Sequence, residues 1–328
     1  MFFSDYMQEW LYGEEGYYKS FKAIGKEGDF YTAVSTSAFF GASIANYLYK
    51  AIEEGRVQRD VALVEIGAHQ GYLLGDMIRW LYTLEASLLE SMRFIIIERQ
   101  DKVIEAQKRY FKENFGEAVT IEYYKSLSEL SLERAFFVSN EIFDAFPCEL
   151  YKDGQVAKVK EQTIEWVDAS IKDVAFAKKH SLRTGEIARG YEAFAEEIAN
   201  AAKSFDFLSF DYGEKYVRND FSIRVYSKHE TFPLFDETLN LQEHFGKSDI
   251  TYDVNFNHII DAFEKAGSDL VEYTTQARAL VNFGIIEILE QYHKIATQAQ
   301  YLAQADKVKT LIAPTIMGDR FKLVHFKK

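Results

Sequence analysis

The stretch NEIFDAFP, at residues 140–147, has the residue types of a site that binds a cation. Its two carboxylates, Glu141 and Asp144, stand beside Phe143 and Phe146, which would wall a pocket. Carboxylates can hold a cationic group through charge-assisted hydrogen bonds. The same pair of acids could instead cap a turn on a loop. Spacing alone leaves both interpretations open.

A glycine turn at Gly67 and Gly71 has the spacing of a nucleotide-binding loop. It follows a nearly unbroken apolar run, residues 61–66, and precedes a helix with a broad apolar face from residue 72 onward. Glycines let the backbone approach a ligand, and a helix start supplies free N–H donors. Strand, glycine turn and helix open the nucleotide pocket of a doubly wound α/β sheet. His69 within the turn either touches a ligand or merely tolerates the backbone of the turn.

Further carboxylates follow other predicted strands. Glu98 ends the buried run RFIIIE, and an acid in this position can accept hydrogen bonds from ribose hydroxyls. A solvated strand-end acid is the alternative, and the upstream glycine turn favours the ribose role. Asn140 and Glu141 follow the run 135–139, and Asp211 follows FDFLSF at 205–210. We therefore expect these acids at the carboxyl edge of one sheet, where open α/β sheets bind ligands.

Periodicity predicts an α/β protein over the whole chain. The predicted helices cover 101–115, 185–204, 255–266 and a stretch at 277–305; the predicted strands cover 119–123, 269–275, 309–313 and 321–326, with a small meander at 149–168. Residues 222–253 read as a long, irregular, polar segment, which suggests a lid or substrate element. Asp29 and Thr32 lie in a loop before an early helix, where they are turn formers if taken alone.

Composition excludes several classes of function. The chain has 328 residues, is 48% hydrophobic and carries a formal net charge of −13. An acidic protein is a poor partner for nucleic acid but suits a basic substrate such as an arginine-bearing protein. Cys148 is the only cysteine, which indicates a reducing compartment. With no signal-peptide pattern and no long apolar run, we expect a cytoplasmic protein without a membrane span.

Other binding motifs are missing from the sequence. None of the seven histidines pair at zinc-site spacing, so we expect no metal. The P-loop pattern is absent. The dinucleotide fingerprint is absent too, because His69 stands where its second glycine belongs. A nicotinamide-dependent oxidoreductase, which shares the opening strand, turn and helix, is therefore the weaker alternative.

Several motifs together resemble the MidA family of class I S-adenosylmethionine-dependent methyltransferases, whose mitochondrial members are complex I assembly factors that act as protein arginine methyltransferases. The motifs occur in order over nearly the whole chain: GDFYT, SAFFG, EIGAHQGYLLGDMIR, SNEIFDAFP, FDYGE, DITYDVNF, TTQARALVNFGI and MGDRFKLV. NE-x-FDA-x-P and GDF-x-T are the distinctive ones. The chain departs from the family where its turn reads Gly67-Ala68-His69 instead of G-P-G, and where Val34 replaces the usual proline.

The resemblance implies a Rossmann-like sheet of seven strands with an antiparallel last strand at 321–326. It assigns the cofactor, S-adenosylmethionine, to Gly67, Gly71 and Glu98, with Glu65 just before the turn, and places Asp29, Thr32, Asn140, Glu141 and Asp144 along the active site. Within that site we predict that His69, Asn140 and Thr32 also contact the cofactor, and that Glu141, Asp144, Asp29 and Asp211 act in catalysis. The implied activity is methylation of arginine on a protein. A non-catalytic assembly chaperone that keeps the fold is the alternative.

The predicted organisation has three parts. Residues 1–56 form a helical cap with an active-site loop, and residues 148–204 form an insertion of meander and helix. Residues 57–147 and 205–328 form the methyltransferase core, with insertions at about 222–253 and 277–305. The aromatic-rich helices outside the sheet leave room for a homodimer.

Overall fold

The computed structural model describes residues 1–19, 32–227 and 230–328. The chain divides into two compact units. The meander unit comprises Met1–Phe30, Glu141–Ala195 and Tyr212–Ala266, and the parallel-sheet unit comprises Tyr31–Asn140, Glu196–Asp211 and Gly267–Lys328. Residues 212–266, which the sequence predicts to be part of the core, thus cluster with the meander.

The strands are β1 (Ala62–Ile66), β2 (Arg93–Ile97), β3 (Ile121–Tyr124), β4 (Leu132–Asn140), β5 (Cys148–Lys152), β6 (Gln155–Lys160), β7 (Thr163–Asp168), β8 (Thr184–Ala188), β9 (Ala202–Glu214), β10 (Arg224–Ser227), β11 (Glu230–Pro233), β12 (Asp249–Thr251), β13 (Val254–Asn255), β14 (Asp269–Thr275) and β15 (Phe321–Lys327). The α-helices are α1 (Phe3–Tyr12), α2 (Ala33–Thr36), α3 (Ala38–Glu53), α4 (Tyr72–Leu84), α5 (Leu88–Ser91), α6 (Asp101–Phe115), α7 (Ile171–Lys179), α8 (Tyr191–Ala201), α9 (Leu241–His244), α10 (Phe256–Lys265), α11 (Gln276–Asn282), α12 (Ile285–His293) and α13 (Gln298–Ile312).

Within the described residues, seven strands of the parallel-sheet unit pair in the order β14–β15–β9–β4–β1–β2–β3. Every pair from β9 to β3 is parallel, whereas β15 runs antiparallel to β14. Reciprocal N–H···O bonds of 3.0 Å between Phe205 and Lys328 give the antiparallel pattern on the other side of β15. The predicted Rossmann-like sheet with an antiparallel last strand is confirmed.

Burial explains why the central strands were readable from sequence. All residues of β1 are buried, and β2 is buried except at Arg93. A strand covered on both faces must be apolar throughout, which is the continuous run that the sequence has. Glu65 is the exception in β1, and its buried carboxylate accepts a hydrogen bond from the N–H of Leu74 at 3.0 Å.

The meander unit contains two small antiparallel sheets. One has the order β7–β6–β5–β8, and the other has the order β11–β10–β12. The predicted meander is confirmed, but the prediction of a helix over 185–204 is wrong in its first part: Gly185–Ala188 pairs with β5, and α8 begins at Tyr191. The prediction of irregular chain over 222–253 is also wrong. Its strands pair with partners up to about 25 residues away, as in Val225 with Ile250, and sequence periodicity cannot reveal such pairing.

The C-terminal helices also differ from the prediction. The stretch 277–305 is divided among α11, α12 and α13, with a break at Gly284, whose φ is 94°. The predicted strand at 309–313 is wrong because α13 continues to Ile312, starting from a capping box at Thr297. Short apolar runs fit a helix or a strand equally well. No helix in the described part of the chain is long and apolar enough to cross a membrane.

Candidate active site

Three neighbouring parallel strands, β1, β2 and β4, end nearly level with one another in the parallel-sheet unit, and β9 extends beyond them. Ile66 of β1 is in register with Ile97 of β2 and with Ser139 of β4, and Asn140 of β4 is in register with Phe210 of β9. The carboxyl edge therefore carries four predicted site residues side by side, in the spatial order Glu98, Gly67, Asn140 and Asp211. Carboxyl edges of open α/β sheets are where ligands bind.

The glycine turn has three residues in the left-handed region. Gly67, His69 and Gly71 have φ angles of 71°, 46° and 78°. The turn closes through a 2.7 Å bond from the N–H of Gly71 to the carbonyl of Ala68. Gly67 is exposed and has no side chain, so the backbone is open to a ligand at this point.

We expect Gly71→Ala to destabilise the protein more than Gly55→Ala. Both glycines have positive φ, 78° and 73°, so each substitution costs roughly 1 kcal/mol or more of backbone strain. A Cβ at residue 71 would also lie 2.8 Å from the Phe111 ring, whereas at residue 55 it would meet no atom of the described residues within 4 Å. Urea unfolding should show a loss of about 2–4 kcal/mol for Gly71→Ala. Equal losses for the two variants would mean that the ring moves aside at no cost.

Glu65 is a buried acid at the end of β1, where it supports the first turn of α4. Its Oε2 accepts the N–H of Leu74, one of the amide groups that a helix start leaves unpaired. Burial raises the pKa of Glu65 to about 8 from the ordinary 4.5, although the Leu74 hydrogen bond opposes this shift. Its side chain is thus tied to the base of the turn.

As pH rises from about 4.5 to 8, the free energy of unfolding of Glu65→Gln is expected to decrease less than that of the wild type. In this range the unfolded carboxyl is ionised while the folded one keeps its proton, so the folded state binds more protons. The free energy of unfolding of the wild type should therefore fall as pH rises, by up to about 1.4 kcal/mol per pH unit. Glutamine keeps the acceptor for Leu74 and cannot titrate. If urea unfolding shows that the free energies of unfolding of the two proteins change with pH in parallel, the raised pKa of Glu65 is contradicted.

Glu98 follows β2 and is half-buried. Its Oε1 accepts the N–H of Gln100 at 3.0 Å, which fixes the carboxylate at the strand end. Burial raises the pKa of Glu98, and the N–H donors of Gln100 and Arg99 oppose that shift. A carboxylate held in this way can accept hydrogen bonds from a pair of hydroxyl groups.

Two further predicted residues precede α3. The Thr32 hydroxyl accepts the N–H of Ser35 at 3.1 Å, and the N–H of Thr32 donates to the Ser35 hydroxyl at 2.9 Å, so Thr32 caps α2. This structural role explains its burial, at 7% exposure, and its assignment to the cofactor remains a prediction. Asp29 lies outside the described residues.

The residues at the ends of β4 and within β9 differ in exposure. Glu141 is partly exposed and has a φ of 53°, a strained value for a residue with a side chain. Such strain persists only where surrounding structure holds it, and it is common at functional sites. Asp211 is fully buried within β9, which extends beyond the predicted strand end at residue 210.

Asp144 belongs to a buried polar network in the meander unit. It is 5% exposed and accepts a 2.6 Å hydrogen bond from the hydroxyl of Tyr212, which also bonds Thr251. The guanidinium of Arg224 lies 5.7 Å from the centre of the Tyr212 ring and is bonded to Asp253. Burial raises the pKa of Asp144 to about 6, with the Tyr212 bond and the Arg224 charge opposing.

The structure thus groups the predicted residues in two sets. The parallel-sheet unit holds Glu65, Gly67, His69, Gly71, Glu98, Asn140 and Asp211 at or near one sheet edge, and the meander unit holds Glu141 and Asp144. Sequence reasoning missed the hydrogen bond from Tyr212 to Asp144 and the bond between Tyr212 and Thr251. No local signal marks these contacts, because the partners lie far apart in sequence. In the described part of the chain, no three metal-binding side chains are grouped to hold an ion.

The chain matches the family model for S-adenosyl-L-methionine-dependent methyltransferases over residues 43–274. The chain belongs to this methyltransferase family. S-adenosylmethionine is the cofactor of the family, which agrees with the cofactor implied by the resemblance.

Curated relatives of the methyltransferase are named protein arginine methyltransferase NDUFAF7, mitochondrial, or its homologue. The Caenorhabditis elegans relative is 24% identical over 74% of this chain and 63% of its own length. The human relative is 21% identical over 97% of this chain and 78% of its own length. The match to the Bos taurus relative, 25% identical, spans 45% of this chain and only 38% of that relative. The chain thus spans less than two thirds of some relatives that it matches.

Two solved structures share the fold of the methyltransferase. Both come from Burkholderia thailandensis, and one contains S-adenosyl-homocysteine. The latter is 23% identical and covers 100% of this chain and 88% of its own, with a TM-score of 0.86. The other is 22% identical, covers 100% and 87%, and has a TM-score of 0.81.

Proposed function

We propose that this methyltransferase transfers the methyl group of S-adenosylmethionine to an arginine side chain of a protein. The proposal rests on the level ends of β1 and β2, where the exposed Gly67 lies beside the carboxylate that the N–H of Gln100 fixes at Glu98. The names of the relatives support arginine as the acceptor. The formal net charge of −13 favours a basic polypeptide over an acidic one.

The residues of the sheet edge fit this cofactor. Glu98 offers carboxylate oxygens that can accept hydrogen bonds from the two ribose hydroxyls, as in other doubly wound nucleotide sites. Gly67 lets the backbone come close to the ligand, and Glu65 supports the helix start behind the turn. The cofactor supplies the reactive methyl group on a sulfonium centre.

The carboxylates of the chain would act on the arginine. A guanidinium is a poor nucleophile because it is protonated in water, with a pKa above about 12. Glu141 would grip the guanidinium through its paired N–H groups, orient one nitrogen for transfer and stabilise the charge. Asp144 is held by Tyr212 at 2.6 Å and would act from a fixed position. Asp211, being buried, would serve by electrostatics rather than by direct contact with a protein substrate.

The biological setting is a further part of this proposal. The resemblance to the MidA family suggests a subunit of respiratory complex I, or a protein like one, as the substrate. A cytoplasmic location is proposed because the chain has a single cysteine, Cys148, whose thiol is free and buried. A homodimer is proposed on the aromatic-rich helices outside the sheet.

Incubation with methyl-labelled S-adenosylmethionine and a lysate of the source cell tests the proposal. We expect label on a small number of protein bands, and methylarginine in the peptides that mass spectrometry recovers from them. Label on lysine or only on small molecules would contradict the acceptor class. Calorimetry with S-adenosylhomocysteine and with NAD separates the remaining alternatives: cofactor binding without any label transfer favours the assembly chaperone, and NAD binding favours the oxidoreductase.

A further inference from the structure

Gln107 of α6 reaches the glycine turn from behind. Its side chain is fully buried, and its Nε2 donates a 2.8 Å hydrogen bond to the backbone carbonyl of His69. The Oε1 of the same amide has no hydrogen-bond partner among the described residues. Burying an amide with one end unsatisfied opposes folding. An apolar side chain would suit this position better if packing were its only task.

The carbonyl that Gln107 holds belongs to a strained residue. His69 has a φ of 46°, a left-handed conformation that residues with a Cβ adopt at an energetic cost. Its neighbour Gly71 has no such cost and is fixed by its own bond to Ala68. The bond from Gln107 therefore stabilises the one position of the turn that its own residue type disfavours.

The same helix is tied to the ribose-binding carboxylate. Gln100, the N-cap residue of α6, donates its N–H to Glu98 at 3.0 Å, and Gln107 lies two turns further along the helix. α6 thus contacts the two elements that the proposed function assigns to the cofactor.

We infer that Gln107 is a positioning residue for S-adenosylmethionine, acting through the backbone of His69. This inference rests on the proposed function. A turn that visits its binding conformation only part of the time binds its ligand more weakly, in proportion to the lost fraction. By holding the His69 carbonyl, Gln107 keeps the turn in the conformation that leaves Gly67 open to the ligand. The side chain itself does not touch the cofactor.

Gln107→Leu and Gln107→Glu test the inference by titration calorimetry with S-adenosylhomocysteine. Leucine removes the donor, and glutamate keeps the shape but cannot donate when ionised. Losing one hydrogen bond to the turn should weaken binding about tenfold in Gln107→Leu at every pH, and in Gln107→Glu at pH values high enough to ionise the buried glutamate. The thermal midpoint of Gln107→Leu should stay close to that of the wild type, because the loss of the bond to His69 and the removal of the unsatisfied oxygen have opposite effects on stability. Ile104→Ala, which removes a buried side chain from the same helix, should lower the thermal midpoint and leave affinity within about twofold.

A pH series separates positioning from a merely structural role. A protonated glutamate can again donate to the His69 carbonyl, so the affinity of Gln107→Glu should rise relative to Gln107→Leu as pH falls toward 5. Each ratio is taken at one pH, so titration of His69, Glu65, Glu98 and Tyr110 affects both variants alike. If the wild type binds S-adenosylhomocysteine and both variants bind it as tightly as the wild type does, the inference is wrong. If the wild type itself does not bind, the proposed function is wrong and the inference falls with it.

Discussion

Replacing Glu98 with alanine is expected to weaken binding of S-adenosylhomocysteine by at least about a hundredfold. The carboxylate is held at the end of β2 by the N–H of Gln100, so it is preorganised to accept two hydroxyl groups. Hydrogen bonds to a charged acceptor contribute about 1.5–3 kcal/mol each, and the loss of two gives an effect of this size. Titration calorimetry with the purified protein measures it directly, without any knowledge of the methyl acceptor.

A matched acid on the following helix controls for a change in charge. Glu105 is exposed on α6 and pairs with Lys108 at 2.9 Å. Glu105→Ala removes the same charge, and we expect its affinity to stay within about twofold of the wild type, since exposed pairs contribute little. The affinity of Glu98→Gln for S-adenosylhomocysteine should lie between those of Glu98→Ala and Glu105→Ala, because the glutamine amide retains one acceptor oxygen. Tight binding by Glu98→Ala would remove Glu98 from the ribose site.

The elements best predicted from sequence are those that are covered on both faces. The runs at 61–66 and 93–97 are apolar because β1 and β2 are buried, and the glycines after β1 mark where the chain turns. The position of Glu98 followed from the same run. The grouping of the strand-end residues could be expected as well, since the carboxyl ends of parallel strands lie on the same side of a sheet.

The elements that were mispredicted depend on distant partners. Gly185–Ala188 has a pattern that fits a helix, yet it is a strand because β5 offers it a register. β10 forms because β12 returns beside it from the far side of a loop. Local periodicity carries no information about either partner.

Some features of the candidate site could likewise be predicted from the sequence and others could not. The types and spacing of its acids were visible in NEIFDAFP, but the partners that fix their roles were not. Asp144 could be read as a substrate ligand from sequence, and only the structure shows that Tyr212 donates a hydrogen bond to it and is itself bonded to Thr251. Gln107 is spaced three or four residues from Ile104 and Phe111, so the sequence could place it on the buried face of its helix, but its hydrogen bond to the His69 carbonyl could not be predicted.

Glu141→Gln is expected to lower the rate of methyl transfer at least about a hundredfold, while affinity for S-adenosylhomocysteine stays within about threefold. Glutamine has the same size and the same φ requirement as glutamate, so the strained backbone at 53° is undisturbed. What is lost is the negative charge that would stabilise a guanidinium during transfer, and removing one such stabilising group costs roughly a hundredfold or more. The rate is measured from labelled S-adenosylmethionine at saturating cofactor.

Tyr212→Phe provides the contrasting variant for this test. It removes the hydroxyl that bonds Asp144 at 2.6 Å and leaves Glu141 unchanged, so the carboxylate of Asp144 stays buried with one donor fewer. The pKa of Asp144 should rise above its present value of about 6, because the Tyr212 bond is one of the contacts that oppose burial. The optimum of the pH–rate profile should therefore move to higher pH if ionised Asp144 takes part, with no shift expected in Glu141→Gln. Full turnover by Glu141→Gln would transfer the guanidinium-binding role to another acid, and an unchanged pH profile in Tyr212→Phe would leave Asp144 a purely structural residue.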